Sequence, residues 1–400
     1  MPNQFLSPEG DLETFNYFVT EYWLIDQYVG DTLWTWGNNS YGHLGINVSV
    51  GAASRSTPLT TFAGGTNWKQ VSGGNGHTAA IKTDGTLWTW GYNLLGQLGN
   101  NVAFGSDVIT PVTTFAGGTN WKQVSCGHYH TAAIKTDGTL WTWGYNGNGQ
   151  LGDNTGNFGV ITPATTFAGG TNWKQVASGF AHIAAIKTDG TLWTWGRNSY
   201  GQLGDNTTNQ RTTPVTTFAG GTNWKQVSGG RDHTAAIKTD GTLWTWGLNA
   251  YGQLGNNTGA NRSTPVTTAM SGTSWKQVSC GGFHTAALRN TGQIMIWGLN
   301  NFGQLGDNTT INRSIVFSFL GGTNWKQVSG GNGHTTAIKT DGTLWTWGRN
   351  SDAQLGDNTA VNRSTPVTTF AGGTNWKQVS GGDYHTVAVT SGTDPTYFIA

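Results

Sequence analysis

The sequence predicts an all-β chain: a seven-bladed β-propeller of four-stranded antiparallel blades, closed by the N-terminal strand. Three observations predict it. One unit recurs seven times, marked by His77, His130, His182, His233, His284, His334 and His385, which stand 50 to 53 residues apart. Trp68, Trp121, Trp173, Trp224, Trp275, Trp325 and Trp376 keep step with them. A period near fifty residues signals a repeat architecture, because one such unit cannot bury its apolar faces alone and must stack on its neighbours. The second observation is the turn chemistry. Asp-Gly pairs such as Asp84-Gly85 stand between alternating apolar runs, a strong hairpin signal. The third is a complementary break at the two ends. After residue 390 the chain reads Asp394-Pro395-Thr396-Tyr397-Phe398 where Thr-Leu-Trp-Thr-Trp-Gly should follow, and that missing piece stands near the start as Thr32-Leu33-Trp34-Thr35-Trp36-Gly37.

Taken in order, residues 1–30 form an arm outside the repeats. Glu9, Asp11, Glu13, Glu21, Asp26 and Asp31 are acidic, and no Lys or Arg occurs before Arg55. Phe5, Phe15, Tyr17, Phe18, Tyr22 and Trp23 supply aromatics. Such a segment either lies on the propeller edge, where residues 23–29 pair beside the closing strand, or attaches the ring to a larger assembly. The propeller occupies residues 31–390, and residues 391–400 form a tail. In the first copy, strands are expected at residues 58–62, 68–72, 77–83 and 86–90. Trp88 and Trp90 project to one side of their strand and Leu87 to the other, so each sheet should be covered on both faces. Radial stacking of sheets supplies that cover and removes exposed sheet edges. Small residues such as Ser72, Gly73, Ala79 and Ala80 suit strands near a crowded axis, and the Trp-rich strand suits the wider space further out.

Composition narrows the function classes. Of 400 residues only 10% are charged, against roughly 25% in an ordinary globular chain, while 62 are Gly and 21 are Trp. Net charge is +1, and Lys and Arg are spread along the repeats rather than gathered in one run. That dispersal gives no footprint for nucleic acid or an anionic membrane. No apolar run is long enough for membrane insertion, and the first residues lack the basic and apolar regions of a signal peptide. The expected location is a virion or the cytoplasm. Cys126 and Cys280 occupy one repeat position three copies apart, too distant in a ring for a disulfide, and read as small buried residues where other copies use Gly.

The two residues before each repeated His carry most of the variation. They read Asn75-Gly76, His128-Tyr129, Phe180-Ala181, Arg231-Asp232, Gly282-Phe283, Asn332-Gly333 and Asp383-Tyr384. Following the chain up and down four strands puts this bend on the same face as the loop after Trp-Gly, where Asn38, Tyr92, Tyr145, Arg197, Leu248, Leu299 and Arg349 also differ. The opposite face carries Thr-Asp-Gly and Ala-Gly-Gly-Thr-Asn almost unchanged. Aromatic, Arg, Asp and Asn side chains on the loops of a rigid frame are what recognition surfaces use. The candidate partner-binding residues are therefore Asn75, His128, Tyr129, Phe180, Arg231, Asp232, Phe283, Asn332, Asp383 and Tyr384, together with Tyr92, Tyr145, Arg197 and Arg349. The expected partner is a protein or a surface glycan.

No catalytic residue, metal site or cofactor is expected. A His repeated seven times with the same neighbours reads as a structural hydrogen-bond partner of the adjacent backbone, and no local motif pairs metal ligands. No Gly-rich phosphate loop precedes a helix.

Gly-x-x-His-Thr, the Asp-Gly hairpin and then Trp-Gly-x-Asn-x-x-Gly-Gln-Leu-Gly, as in residues 195–204, resemble the repeat of the regulator of chromosome condensation family. The resemblance covers about residues 32–390 and implies a seven-bladed propeller. In that family the eponymous member is a nucleotide exchange factor for the GTPase Ran, which makes exchange on a small GTPase the alternative function. A plant ultraviolet-B photoreceptor of the family fills the x-x positions with Trp and Arg, which none of these seven copies does. Near-identical repeats of low charge are similar to propellers of bacteria and tailed phages. On that reading the chain is a non-catalytic binding or scaffolding protein, associated with a virion and attached through its arm.

Overall fold

The computed structural model describes residues 30–102, 104–270, 272–318 and 322–392. Its 28 strands form seven four-stranded antiparallel sheets. Each sheet packs on the next and the seventh on the first, which closes the ring. The predicted β-propeller is therefore the observed architecture. In the first blade the order is Trp68–Gly73, His77–Lys82, Leu87–Gly91 and Val108–Thr113. The strand beginning at Trp68 is innermost: it contacts its counterparts in the flanking blades, and its Ser72 and Gly73 help to wall a central cavity of about 180 Å³.

Seven apolar clusters lie between neighbouring blades. The one between the seventh and first blades joins Trp68, Val71, Ala80 and Trp90 to Leu33, Val387 and Val389. Each sheet is apolar on both sides because each side is an interface. Polar pairs fix the angular register. Gln70 donates from Nε2 to the Val124 carbonyl at 2.9 Å and accepts from the Val124 amide at 3.0 Å, so one side chain satisfies two backbone groups of the next blade. The hairpins follow their sequence signal. Gly85 has φ of 81°, and Asp84 Oδ1 accepts from the amide and hydroxyl of Thr86 at 2.9 and 2.7 Å.

Closure differs from the expectation in one respect. The seventh blade takes Trp376–Gly381 and His385–Thr390 from the end of the chain, but two strands rather than one from its beginning, Leu33–Asn39 and Ala52–Thr60. The pairing is continuous across the clasp, from Leu33 opposite Val389 to Gly37 opposite His385. The strand expected at residues 58–62 as the first of the opening blade is therefore the outermost of the last. The Ala63-Gly64-Gly65-Thr66-Asn67 segment that follows is a crossing between blades, and every structural blade is offset by one strand from the sequence copy. Residues 1–29 and 393–400 lie outside the described residues, so neither the arm, nor the pairing expected for residues 23–29, nor Asp394 to Phe398 is placed.

Two further expectations change. The loop after Trp-Gly does not stay on the surface: Asn93, Gln97 and Leu98 are fully buried. Leu98 O accepts from Thr89 Oγ1 at 2.7 Å, and Gln97 O accepts from Trp143 Nε1 of the next blade at 2.9 Å. The loop thus descends between blades. The cations, spread along the repeats in the sequence, are also gathered in space. Lys69, Lys122, Lys174, Lys225, Lys276, Lys326 and Lys377 each follow the first Trp of an inner strand, all are exposed, and the ring brings all seven to the axial end of the constant face. The remaining lysines, such as Lys82 over the rings of Trp68 and Trp88 at 4.8 and 4.6 Å, end the second strands on that same face. Closing a repeat into a circle superposes positions that the sequence keeps fifty residues apart.

Cys126 and Cys280 are free and buried, and burial pushes both thiols up to about 12. Their counterparts are Gly in four copies and Ser178 in the third.

Candidate recognition face around the axis

Antiparallel order places the bend before each His and the start of the loop after Trp-Gly side by side. The amide of Tyr92, for instance, donates to Gly76 O at 2.7 Å, and that of Arg197 to Ala181 O at 2.8 Å. The Asp-Gly turns and Ala-Gly-Gly-Thr-Asn crossings share the other face, as in the bond from the Trp121 amide to Gly85 O at 3.0 Å. Variation is thus concentrated on one face, and the fifth copy alone departs in both motifs of the other, with Ala269-Met270 in the crossing and Asn290-Thr291 in the turn.

The varied residues form two concentric rows. Asn75, His128, Phe180, Arg231, Gly282, Asn332 and Asp383 surround the axis, and all but Asn75 line the mouth of the central cavity. Backbone bonds run from blade to blade beneath them: the amides of His128, Arg231 and Asp383 donate to Phe180 O at 3.3 Å, Gly282 O at 3.2 Å and Gly74 O at 3.0 Å. Side chains interlock above. His128 packs on Phe180 with ring centroids 3.9 Å apart, accepts at Nε2 from the Asn75 amide group at 2.6 Å, and donates from Nδ1 to Asp383 at 3.0 Å. Since the Asn75 group is a donor, the proton of His128 sits on Nδ1. Arg231 lies over Phe180 at 4.7 Å and Phe283 at 5.2 Å. This cation between two rings is 40% exposed, so it combines a fixed position with access to a partner.

The outer row is aromatic and partly paired. Tyr92 lies 4.4 Å from Tyr41 and 5.9 Å from Tyr129, and Arg349 stands over Tyr384 at 5.1 Å and Phe302 at 5.7 Å. Tyr145 packs on Phe158 at 5.9 Å. Asp232 departs from the expectation of a presented side chain: it is buried, with Arg197 at 3.2 Å and Gln202 Nε2 at 3.2 Å. Burial raises its carboxyl, and the adjacent Arg197 and Arg231 counter only part of that. Asp232 therefore positions two arginines rather than meeting a partner. Most of the other candidates are half-buried by one another, so the face is a packed layer and not a set of free loop tips.

Sequence reasoning passed over Tyr41, Tyr251 and Phe302, which complete this layer; Tyr251 lies 5.3 Å from Phe283. The signal was present. The residue before Gly in Asn-x-x-Gly also varies, as Tyr41, Leu95, Asn148, Tyr200, Tyr251, Phe302 and, before Ala353 in place of Gly, Asp352.

The seven repeated His are structural, but their partner is not the adjacent backbone. Six donate from Nε2 to a Thr hydroxyl of the next blade at 2.9 to 3.0 Å, as His77 does to Thr131 and His385 to Thr78. Each such hydroxyl already donates to a backbone carbonyl, as Thr131 does to Gln97 O at 2.8 Å, so the imidazole must supply the proton. His130 is the exception: Ile183 occupies the Thr position of the next blade, and neither ring nitrogen of His130 has a hydrogen-bond partner among the described residues. Desolvation lowers all of these imidazoles, to about 3 for His77, His130, His233 and His334 and to about 4 for His182, His284 and His385. A neutral, sealed ladder of this kind ties blades together and offers no base to a substrate.

Comparison with known proteins agrees with this architecture. The chain matches the RCC1-like domain over residues 106–397 and the regulator of chromosome condensation (RCC1) repeat over residues 31–81 and 68–97. It is 34% identical over 290 residues to the ultraviolet-B receptor UVR8 of Arabidopsis thaliana, covering 71% of this chain and 64% of that one. It is 31% identical over 342 residues to the probable E3 ubiquitin-protein ligase HERC4 of Mus musculus, covering 71% of this chain but 32% of the ligase. The chain thus spans under two thirds of either relative. Among solved structures, human WBSCR16 superposes with a TM-score of 0.79 at 22% identity, over 90% of this chain and 99% of that one. Prp20p of Saccharomyces cerevisiae gives 0.79 at 19% identity, over 92% of each chain.

Proposed function

Since the chain belongs to the family of RCC1-like propellers, we propose that it is a non-catalytic binding module whose varied face receives a protein partner. The observation that carries this reading is the concentration of sequence variation on one face, where it builds a layer of Tyr, Phe, His and Arg around the axis. Tyr and Arg are the residues that dominate binding energy at interfaces, and a central cation flanked by two rings is a ready anchor. Arg231 is the residue expected to matter most.

The test pairs identification with mutation. Once proximity labelling names a partner, the dissociation constant is measured for Arg231→Ala and Tyr129→Ala and for the constant-face variant Lys174→Ala. An increase of at least tenfold for the first two and under twofold for the third is expected. Equal losses for all three would overturn the face assignment. Glycan arrays probed with the same variants decide whether a surface glycan can replace the protein. Assignment of the chain to a virion has only the near-identity and low charge of its repeats in support, and mass spectrometry of purified particles decides it. Nucleotide exchange on a small GTPase, the alternative offered by the family, is tested by following nucleotide release from a GTPase panel with the purified chain.

A further inference from the structure

We infer that the constant face docks the acidic N-terminal segment of this same chain, residues 1–29, over its ring of lysines. Four observations on the face and on the segment converge. First, the face is strongly basic: beside the seven axial lysines it carries Lys82, Lys135, Lys187, Lys238, Arg289 and Lys339, and among the described residues only Asp31 and the turn residues Asp84, Asp137, Asp189, Asp240 and Asp341 oppose them. Cations thus outnumber carboxylates there by about two to one. Of the axial lysines only Lys377 has a carboxylate partner among the described residues, and that partner is Asp31.

Second, the described chain begins at this surface. The Asp31 amide donates to Thr66 O at 2.7 Å, the Trp68 amide donates to Asp31 O at 3.0 Å, and the Asp31 carboxylate reaches Lys377. Whatever precedes Gly30 is tethered beside the lysine ring. Third, the tethered segment has the complementary charge, with Glu9, Asp11, Glu13, Glu21 and Asp26 and no Lys or Arg. Fourth, the same face exposes aromatics: Phe62, Phe115, Phe167, Phe218 and Phe370 occupy one position of the crossing segment and are 62 to 66% exposed. Phe5, Phe15, Tyr17, Phe18, Tyr22 and Trp23 of the segment are side chains of matching chemistry to pack on these rings.

Tethering makes weak contacts sufficient. An exposed ion pair contributes on the order of 0 to 1 kcal/mol, yet a short tether sets an effective concentration on the order of millimolar. Several such pairs plus aromatic packing then hold the segment, and the contact must weaken as salt screens it. The docked segment would shield the basic face from other polyanions.

The experiment places the photoreactive p-benzoylphenylalanine at Phe18 in the full chain, irradiates it, and maps adducts by mass spectrometry on a mixture of isotopically light and heavy chains. Intrachain adducts on the constant face, at or beside the axial lysines and Phe115-type positions, are expected. Their yield should fall at least fivefold in 0.5 M salt, and likewise in the variant Glu9→Gln, Asp11→Asn, Glu13→Gln, Glu21→Gln, Asp26→Asn, which leaves the propeller untouched. Adducts on the varied face, adducts joining two chains, or a yield indifferent to salt and to the neutralised segment would each overturn the proposal.

Discussion

Eight buried histidines should make this propeller acid-labile in a pH range where most domains are at their most stable. His43, His77, His130, His182, His233, His284, His334 and His385 are fully buried, and desolvation holds each far below its ordinary value of 6.5. Unfolding frees them to titrate normally. Between pH 6.5 and about 4 the unfolded chain therefore binds more protons than the folded one, and stability falls as pH falls. Protonation of one released imidazole favours the unfolded state by about 0.2 kcal/mol at pH 7 and about 1.4 kcal/mol at pH 5.5. Over eight groups the change is about 10 kcal/mol, comparable with the whole stability of a typical domain. Asp107 and Asp232, which burial raises, act in the opposite sense but are two against eight. With an unfolding entropy of about 0.8 kcal/mol/K for a chain of this length, Tm should drop by about 10 to 15 °C from pH 7 to pH 5.5. Melts followed by near-ultraviolet circular dichroism, with proton uptake on unfolding measured at pH 5.5, check both numbers. A fall of less than about 3 °C, or uptake of fewer than about two protons, would refute the sealed ladder.

Two further perturbations probe single links. Thr234→Val keeps the volume but removes the hydroxyl that accepts from His182 and donates to Gln202 O, so a loss of about 1 to 3 kcal/mol is expected in denaturant melts; a loss under 0.5 kcal/mol would mean that the inter-blade ladder adds nothing. Gly190→Ala and Gly169→Ala separate steric from conformational cost. At Gly190, with φ of 82°, a Cβ would stand 2.0 Å from Thr222 O, whereas at Gly169, with φ of 52°, it would meet nothing within 4 Å. The first should cost more than about 2 kcal/mol and the second about 1 kcal/mol or less; equal costs in thermal melts would contradict the observed turn packing.

Much of this protein was legible in its sequence because repetition and local chemistry carry far. The His and Trp period counts the blades, Asp84-Gly85 fixes a hairpin through its own backbone requirements, and the parity of four strands assigns each loop to a face. The mismatched dipeptides before His therefore landed on one face, as the sequence alone required. Tertiary structure decided whatever depends on which residues meet across a gap of fifty positions. Closure takes both Leu33–Asn39 and Ala52–Thr60 because blades begin at the inner strand, which no sequence copy marks. Asn93, Gln97 and Leu98 are buried because their loop descends into the wedge between radiating sheets, a space that exists only once the ring is formed. Asp232 turns from a presented residue into a support because Arg197, from the neighbouring loop, lies against it. Lysines scattered along the chain become one ring for the same reason: a circle maps equal positions in the repeat onto equal height and equal radius, and charge then adds in space where it could not add in sequence.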